Sequence, residues 1–282
     1  MKNSKTFGVL GGDKRQLYTA AALRDDGNRV FICGFDNSED AEMLSSVSPE
    51  ELARCDNIIL PLPVTRDGIN INAPYCPKKI NLYSFLNTVR DKNIFLGMKD
   101  RLSPEYQTAN IYDYAKREDF ALDNAVPTAE GAIGTAVNEY DGTIFGSRVL
   151  VAGYGRIGKK LSRLLFLMGA DVSVSARKRS DLTAIYQNRM TPVTYNELGS
   201  NYDIVFNTVP YMIFDKNTLE SIKPCSLIID LSSLPGGIDI NACETLGIKA
   251  VRALSLPGKT APKTSGIIIK NTIYNIIGEE GL

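Results

Sequence analysis

A glycine-rich turn between an apolar run and a helical segment constrains the fold of this chain more than any other feature. The run VLVA at 149–152 is typical of a buried parallel strand. Gly153, Gly155 and Gly158 follow it with the spacing G-x-G-x-x-G, and KKLSRLLFLMGA continues with helical spacing. In a dinucleotide-binding fold these glycines make the tight turn, admit the pyrophosphate and let the helix pack on the sheet. With a second strand expected at 171–176, this order predicts a dinucleotide site.

The residues that follow the second strand indicate which dinucleotide is bound. An NAD site places Asp or Glu there to hold the ribose 2′-hydroxyl, and a carboxylate would repel a 2′-phosphate. This chain has Ser175, then Arg177 and Lys178. A guanidinium can bind a phosphate through two hydrogen bonds. A solvated basic loop would give the same pattern. The position of the basic residues, directly after the second strand, favours NADP as the cofactor.

Composition excludes several classes of function. Lys plus Arg and Asp plus Glu number 32 each, so the formal net charge of zero disfavours nucleic acid and anionic membranes as partners. The chain has neither a membrane-length apolar run nor a signal-peptide pattern, which predicts a cytoplasmic protein. The five cysteines form no C-x-x-C pair, which argues against a metal site. The absence of histidine removes the usual general base near neutral pH.

Strands alternate with helical stretches on both sides of the glycine-rich turn. This pattern predicts an α/β protein of two Rossmann-like three-layer domains with mostly parallel sheets and a cleft between them. We expect a substrate- and partner-side domain at 1–127 and an NADP-binding domain at 128–282, with the terminal helix able to pack on the first domain. In the first domain Asp36 has the position of a ribose-binding acid, but the turn at 11–16 lacks the glycine spacing and argues against cofactor binding. Arg15 in this turn is a candidate substrate contact, although a capped, solvated turn explains it equally well.

Loops at the carboxyl ends of later strands supply the other candidates. Besides the residues named above, the predicted cofactor contacts are Tyr154, Arg156, Ile157, Asn207, Thr208, Val209, Pro210, Leu231 and Ser232. The segment 256–266 is predicted to be a loop that opens the terminal helix, a favourable place for an anion. Thr128 is predicted to cap a helix at 129–138, so that Glu130 lies in its first turn. Capping explains Glu130 at least as well as catalysis does.

Several longer motifs point to one family. They are GGDKRQ at 11–16, GFD at 34–36, IILP at 58–61, VPTAEG at 126–131, NTVP at 207–210, DLSSLPGG at 230–237 and, above all, LPGKTAPKTSG at 256–266. Over nearly its whole length the chain resembles the family of dipicolinate synthase A subunits. In element order it is also similar to the 2-hydroxyacid, alanine and adenosylhomocysteine dehydrogenases, but it lacks their catalytic histidine.

The resemblance implies a specific reaction. The family oxidises 4-hydroxy-tetrahydrodipicolinate, or its dehydrated form dihydrodipicolinate, to pyridine-2,6-dicarboxylate with NADP⁺. It acts with a flavoprotein-like B subunit of dipicolinate synthase, and the resemblance implies an oligomer in the mother-cell cytoplasm of a sporulating bacterium. The candidates for binding the substrate carboxylates are Lys259, Lys263 and Thr264, with Ser233, Gly236 and Arg15 in support.

The proton acceptor and the class of activity stay open. Without histidine, the ring proton passes to Glu130, to Lys263 or to water. One alternative is another two-domain NADP-dependent dehydrogenase that acts on a carbonyl or an imine. The other is a non-catalytic NADP(H)-binding subunit.

Overall fold

Two parallel sheets of six strands each organise the chain. The computed structural model describes residues 5–222 and 224–282. The strands are β1 (Thr6–Leu10), β2 (Arg29–Cys33), β3 (Ser45–Ser46), β4 (Asn57–Ile59), β5 (Asn93–Leu96), β6 (Ile111–Asp113), β7 (Arg148–Ala152), β8 (Asp171–Ser175), β9 (Thr191–Val193), β10 (Ile204–Asn207), β11 (Leu227–Asp230) and β12 (Lys249–Arg252). The α-helices are α1 (Lys14–Asp25), α2 (Pro49–Leu52), α3 (Leu82–Thr88), α4 (Glu118–Glu139), α5 (Arg156–Leu167), α6 (Arg179–Gln187), α7 (Lys216–Ser221), α8 (Ile240–Leu246), α9 (Leu256–Thr260) and α10 (Pro262–Glu280). Short 3₁₀ turns lie at Glu39–Ala41, Lys99–Arg101, Pro104–Tyr106 and Tyr114–Lys116.

The chain divides into two compact units, each built on one sheet. Unit 1 contains the residues up to Asn124 together with Ala261–Leu282, and unit 2 contains Ala125–Thr260. The sheet of unit 1 has the order β3-β2-β1-β4-β5-β6, and that of unit 2 the order β9-β8-β7-β10-β11-β12. Neighbouring strands pair in parallel in both sheets. This is the doubly wound Rossmann order, so the predicted fold class is confirmed.

Helices cover both faces of each sheet, because parallel strands of this kind are apolar on both sides. In unit 1, α1 and α10 bury residues such as Leu17 and Ile273 on one face, and α2 and α3 cover the other. In unit 2, α4 and α5 cover one face with residues such as Leu161, while α7 and α8 cover the other. Each unit therefore has three layers and its own core.

The terminal helix α10 belongs to unit 1 because it packs closely on α1. A Cβ atom at Gly266 would lie 2.6 Å from the Arg15 carbonyl oxygen, so only glycine permits this approach. The Thr19 hydroxyl donates a hydrogen bond of 3.0 Å to the Gly266 carbonyl. Burial of isoleucines such as Ile269 on the same helix stabilises the contact.

Two predicted elements differ from the structure. Helix α4 begins at Glu118, ten residues or so before the expected start, so Thr128 lies inside the helix and Glu130 is not in its first turn. Pro127 also lies inside α4, because the buried alanines along the helix continue through it. The predicted loop at 256–266 instead forms α9 and the start of α10. Its prolines occupy first-turn positions, where a missing N–H costs little.

Short edge strands were also missed. β3, β6 and β9 contain two or three residues each and lie at sheet edges. Runs this short carry no periodic signal, so only their pairing with a neighbouring strand reveals them.

Candidate functional site

The three glycines of the turn after β7 meet three different environments. Gly153 has a φ of +104°, and a Cβ there would lie 2.4 Å from the Thr208 hydroxyl oxygen. A Cβ at Gly158 would lie 2.1 Å from the Gly153 carbonyl oxygen. At Gly155 a Cβ would meet no atom of the described residues within 4 Å. The protein itself therefore requires the first and third glycines, while the second leaves open space beside the turn.

The start of α5 is suited to a phosphate group. Its N-cap is Gly155, and no side chain of the described residues caps the helix. In unit 1 the corresponding helix α1 is capped by its own residues: Asp13 accepts a hydrogen bond from the Arg15 N–H at 3.0 Å, and Gln16 accepts one from the Asp13 N–H at 3.1 Å. Unpaired N–H groups at a helix start attract anions. The turn in unit 2 thus fits a dinucleotide diphosphate, whereas the turn in unit 1 is occupied by a carboxylate.

The end of β8 presents positive charge at the position that selects the cofactor. Ser175, its last residue, is fully buried. Arg177 and Lys178 are exposed, and neither forms an ion pair with the described residues. Tyr195 lies close by: burial raises its pKa, and the neighbouring Ser175 and Arg177 oppose that shift. The two cationic side chains are available to a ligand at this edge.

A buried carboxylate ties together the loops that follow β10 and β11. Asp230 is fully buried, and its Oδ1 accepts hydrogen bonds from the Asn207 side-chain amide at 2.9 Å and the Ser232 hydroxyl at 2.6 Å. The same oxygen accepts from the Ser232 N–H at 3.0 Å, and Oδ2 accepts from the Gly237 N–H at 3.2 Å. Sequence reasoning named Asn207 and Ser232 but missed Asp230. The available signal was an ionisable residue at the end of an apolar strand.

The Asn207 side chain extends this network to the next loop. Its oxygen accepts a hydrogen bond from the Val209 N–H at 3.1 Å, and its amide donates to the Val209 carbonyl at 3.0 Å. Thr208 anchors on β7 through a hydrogen bond from its hydroxyl to the Ala152 carbonyl at 2.8 Å. Pro210 is exposed and Leu231 is buried. The predicted cofactor residues therefore gather at the carboxyl ends of four adjacent strands, β8, β7, β10 and β11.

The turn itself also carries the predicted Tyr154, Arg156 and Ile157. Arg156 and Ile157 open α5. The Lys159 ammonium lies 5.3 Å from the centroid of the Tyr154 ring, within reach of a cation–π interaction. Burial raises the pKa of Tyr154, so its hydroxyl stays protonated near neutral pH.

The predicted substrate and catalytic residues are divided between the units. In unit 2, Glu130 is exposed on α4 and Lys259 is exposed on α9. These two helices are in contact, since a Cβ at Gly131 would lie 2.8 Å from the Thr260 hydroxyl oxygen. Ser233 is exposed and Gly236 is buried with a φ of +98°, both in the loop after β11. In unit 1, Lys263 and Thr264 are exposed in the first turn of α10. Their roles stay predictions.

The Arg15 guanidinium forms hydrogen bonds to other residues of unit 1. Its Nε donates to Asp13 at 2.9 Å, and its Nη2 donates to Asp13 at 2.8 Å and to the Leu62 carbonyl at 2.7 Å. The residue is 8% exposed. These bonds hold the α1 turn against the loop after β4, and a contact between Arg15 and substrate stays a prediction.

Two family models match separate parts of the chain. The N-terminal domain of the dipicolinate synthase A subunit matches residues 6–112. The NAD-binding domain of D-isomer specific 2-hydroxyacid dehydrogenases matches residues 122–233. The second match includes the glycine-rich turn, the end of β8 and Asp230.

A curated relative covers almost the whole chain. The A subunit of dipicolinate synthase from Bacillus subtilis (strain 168) is 32% identical over an alignment that covers 96% of this chain and 95% of the relative. The chain belongs to the family of dipicolinate synthase A subunits. The motif-based resemblance is thereby confirmed.

Solved structures agree with this assignment. The crystal structure of the dipicolinate synthase A chain from Bacillus subtilis matches with a TM-score of 0.87 and 32% identity, covering 99% of this chain and 97% of that one. The structure of the A subunit from Bacillus halodurans gives a TM-score of 0.83 and 28% identity, covering 97% of each chain. A transhydrogenase from Sinorhizobium meliloti, at 12% identity, covers 97% of this chain and 94% of its own with a TM-score of 0.69, and shares the fold.

The family and its dehydrogenase-type domain define the chemistry coarsely. This member of the dipicolinate synthase A-subunit family is an oxidoreductase-type protein that uses a nicotinamide dinucleotide. Among residues 5–222 and 224–282, no group of three or more His, Cys, Asp or Glu is placed to hold a metal ion. In the same residues, no helix has both the length and the apolar character needed to cross a membrane.

Proposed function

We propose that this chain is the NADP-dependent subunit that forms pyridine-2,6-dicarboxylate from 4-hydroxy-tetrahydrodipicolinate or dihydrodipicolinate. The observation that carries the proposal is the open glycine cradle, followed by the exposed Arg177 and Lys178, in a member of the dipicolinate synthase A-subunit family. Oxidation of dihydrodipicolinate removes one hydride and one proton. The hydroxylated form must also lose one water molecule. Aromatisation of the ring contributes to the driving force.

The residues of unit 2 have separate tasks in this proposal. The α5 start holds the diphosphate, and Arg177 with Lys178 holds the 2′-phosphate. The loops joined by Asp230 would hold the nicotinamide ribose, and NADP⁺ would supply the hydride acceptor when bound. With the cofactor in place, the main task of the protein is to orient the substrate ring and to receive one proton. Glu130, Lys263 or water receives that proton.

The partner and the cellular setting follow from the same proposal. The Bacillus subtilis relative is named as one subunit of a synthase, which supports a partner for this chain. We propose that this partner is a flavoprotein-like B subunit, and that the two form an oligomeric assembly in the cytoplasm of the sporulating mother cell. Co-purification of the A and B subunits with stoichiometric recovery tests the assembly.

Arg177 provides the test of cofactor choice. Arg177→Ala removes a charge-assisted phosphate contact, so we expect the Kd for NADP⁺ to rise by about 10–100-fold. The Kd for NAD⁺, which has no 2′-phosphate, should change less than about threefold. Arg179→Ala, the neighbouring exposed arginine, is the matched control and should leave both affinities unchanged. Equal loss of NADP⁺ and NAD⁺ binding in Arg177→Ala would contradict the 2′-phosphate role.

Kinetic measurements on variants distinguish the proposed roles of Lys263 and Glu130. Lys263→Ala should lower kcat/KM about 10–100-fold, mainly by raising KM, because a carboxylate loses its cationic partner. Glu130→Gln should lower kcat by about 100-fold or more if Glu130 receives the proton. Lys116→Ala and Asp123→Asn are the controls, since both side chains are exposed and Asp123 lies two turns before Glu130 on α4. Unchanged kcat and KM in Lys263→Ala would remove Lys263 from the site.

The reaction itself is tested with the purified chain, NADP⁺ and freshly generated 4-hydroxy-tetrahydrodipicolinate. Ultraviolet absorbance of the product and of NADPH should rise in equal amounts. The absence of histidine favours a second candidate, a subunit that binds NADP(H) while the partner carries out the chemistry. Product that forms only when the B subunit is present would support shared catalysis. Tight NADP(H) binding without product in either mixture would support the non-catalytic binding function.

A further inference from the structure

Unit 1 contains a cavity that the proposed reaction does not use. It has a volume of about 460 Å³ and lies at the carboxyl end of β2. Cys33 and Gly34 lie at this strand end, while Val47, Ile80 and Phe85 contribute apolar side chains. Asp36 also lines it. Ligand pockets typically combine such an apolar lining with a few polar groups.

The position of this cavity has a counterpart in unit 2. Both sheets have the same strand order, so the end of β2 in unit 1 corresponds to the end of β8 in unit 2. This is where a Rossmann domain holds the ribose of a nucleoside, and an acidic residue there accepts hydrogen bonds from the ribose hydroxyls. Unit 2 carries Arg177 in this region, whereas unit 1 carries Asp36. The Asp36 side chain is exposed and forms no ion pair with the described residues.

The neighbouring phosphate position in unit 1 is closed. Asp13 and Gln16 cap the start of α1 with their own side chains, as described above. A Cβ at Gly12 would lie 2.4 Å from the Gln16 side-chain oxygen, so this side chain fills the turn. A ligand at the end of β2 therefore has no cradle for a diphosphate.

The ionisable side chains that line the cavity balance in charge. Asp36 and Glu50 are acidic, Lys78 and Lys79 are basic, and all four are exposed. Burial raises the pKa of Cys33 to about 12, so its thiol is neutral. A lining without net charge suits a neutral ligand, and Asp36 supplies an acceptor for its hydroxyl groups.

We propose that unit 1 binds an unphosphorylated nucleoside in this cavity, with Asp36 accepting hydrogen bonds from the vicinal hydroxyls of its ribose. The apolar side chains contact the base. This second site is independent of the reaction assigned to the dinucleotide unit, so it can fail without affecting the proposed function.

Adenosine is the probe, and binding is measured by calorimetry on the full chain saturated with NADP⁺, which occupies unit 2. We expect one adenosine per chain, with a Kd that rises about 10–100-fold in Asp36→Ala. Glu39→Ala, an exposed acid on the next turn that does not line the cavity, should leave the Kd unchanged. 2′,3′-Dideoxyadenosine should bind more weakly, and Asp36→Ala should not weaken it further. That pair of results isolates the contact between Asp36 and the hydroxyls.

Four outcomes would overturn the proposal. The first is no adenosine binding at millimolar concentration, and the second is binding that NADP⁺ saturation abolishes. The third is tighter binding of adenosine 5′-monophosphate than of adenosine. The fourth is pyridine-2,6-dicarboxylate binding that is lost in Lys78→Ala or Lys79→Ala, which would make the cavity an anion site.

Discussion

Replacing Gly155 with valine is expected to abolish measurable NADP⁺ binding while the fold is retained. Its φ of −83° is accessible to any residue, and no described atom lies within 4 Å of a Cβ placed there. A side chain would instead occupy the space through which the diphosphate approaches the turn. Because glycine is a better N-cap than valine, a loss of up to about 1 kcal/mol in unfolding free energy is expected. NADPH fluorescence titration and urea unfolding measure the two effects.

Two other glycines serve as controls for this variant. Gly158→Val should destabilise unit 2 strongly, because its Cβ would lie 2.1 Å from the Gly153 carbonyl. Gly134→Ala, inside α4 and without a described atom within 4 Å, should leave NADP⁺ affinity unchanged. It should raise the unfolding free energy by about 0.5–1 kcal/mol. Normal NADP⁺ affinity in Gly155→Val would show that the diphosphate does not lie against this turn.

Asp230→Ala is expected to lower the unfolding free energy by about 3 kcal/mol or more and to weaken NADP⁺ binding. The carboxylate accepts four hydrogen bonds in a fully buried position, and its removal leaves these buried donors without an acceptor. The loops that carry Asn207 and Ser232 then lose their common anchor. Urea unfolding monitored by circular dichroism, together with NADPH titration, measures both losses.

A second carboxylate in the same unit provides the comparison for Asp230. Asp215 caps α7, where it accepts a hydrogen bond of 2.9 Å from the Thr218 N–H near the surface. Asp215→Ala should lower the unfolding free energy by only about 1 kcal/mol and leave NADP⁺ affinity unchanged. Equal losses in the two variants would mean that Asp230 acts as an ordinary polar residue and not as the junction of two loops.

Local patterns accounted for the longer strands and for the dinucleotide turn. The run before Gly153 is apolar and β-branched, and the glycine spacing reflects contacts within one strand, one turn and one helix. These features depend on residues close together in the chain, so sequence reasoning found them. The same holds for β8, which was predicted at 171–176 and is observed at Asp171–Ser175.

Long-range contacts decided the features that sequence reasoning placed wrongly or missed. Thr128 predicts a helix start when it is considered alone. In the structure α4 instead runs through Pro127 and Thr128, and the alanines around them are buried. The prolines and glycines of the 256–266 segment predict a loop. The structure instead has two helices there, and both pack closely on other helices. Gly131 lies against Thr260, and Gly266 lies against Arg15. Both outcomes depend on partners that are distant in the chain.

The sequence by itself determined the Rossmann order of elements, the position of the dinucleotide turn and the family of the chain. Each of these can be recognised from the type and spacing of residues that lie close together in the chain. Only the tertiary structure decided that α10 completes unit 1, that α1 is closed by its own carboxylate, and that Asp230 joins two loops. These features depend on which surfaces are buried against each other and on which hydrogen-bond donors must then be satisfied. Such burial exists only after the chain has folded.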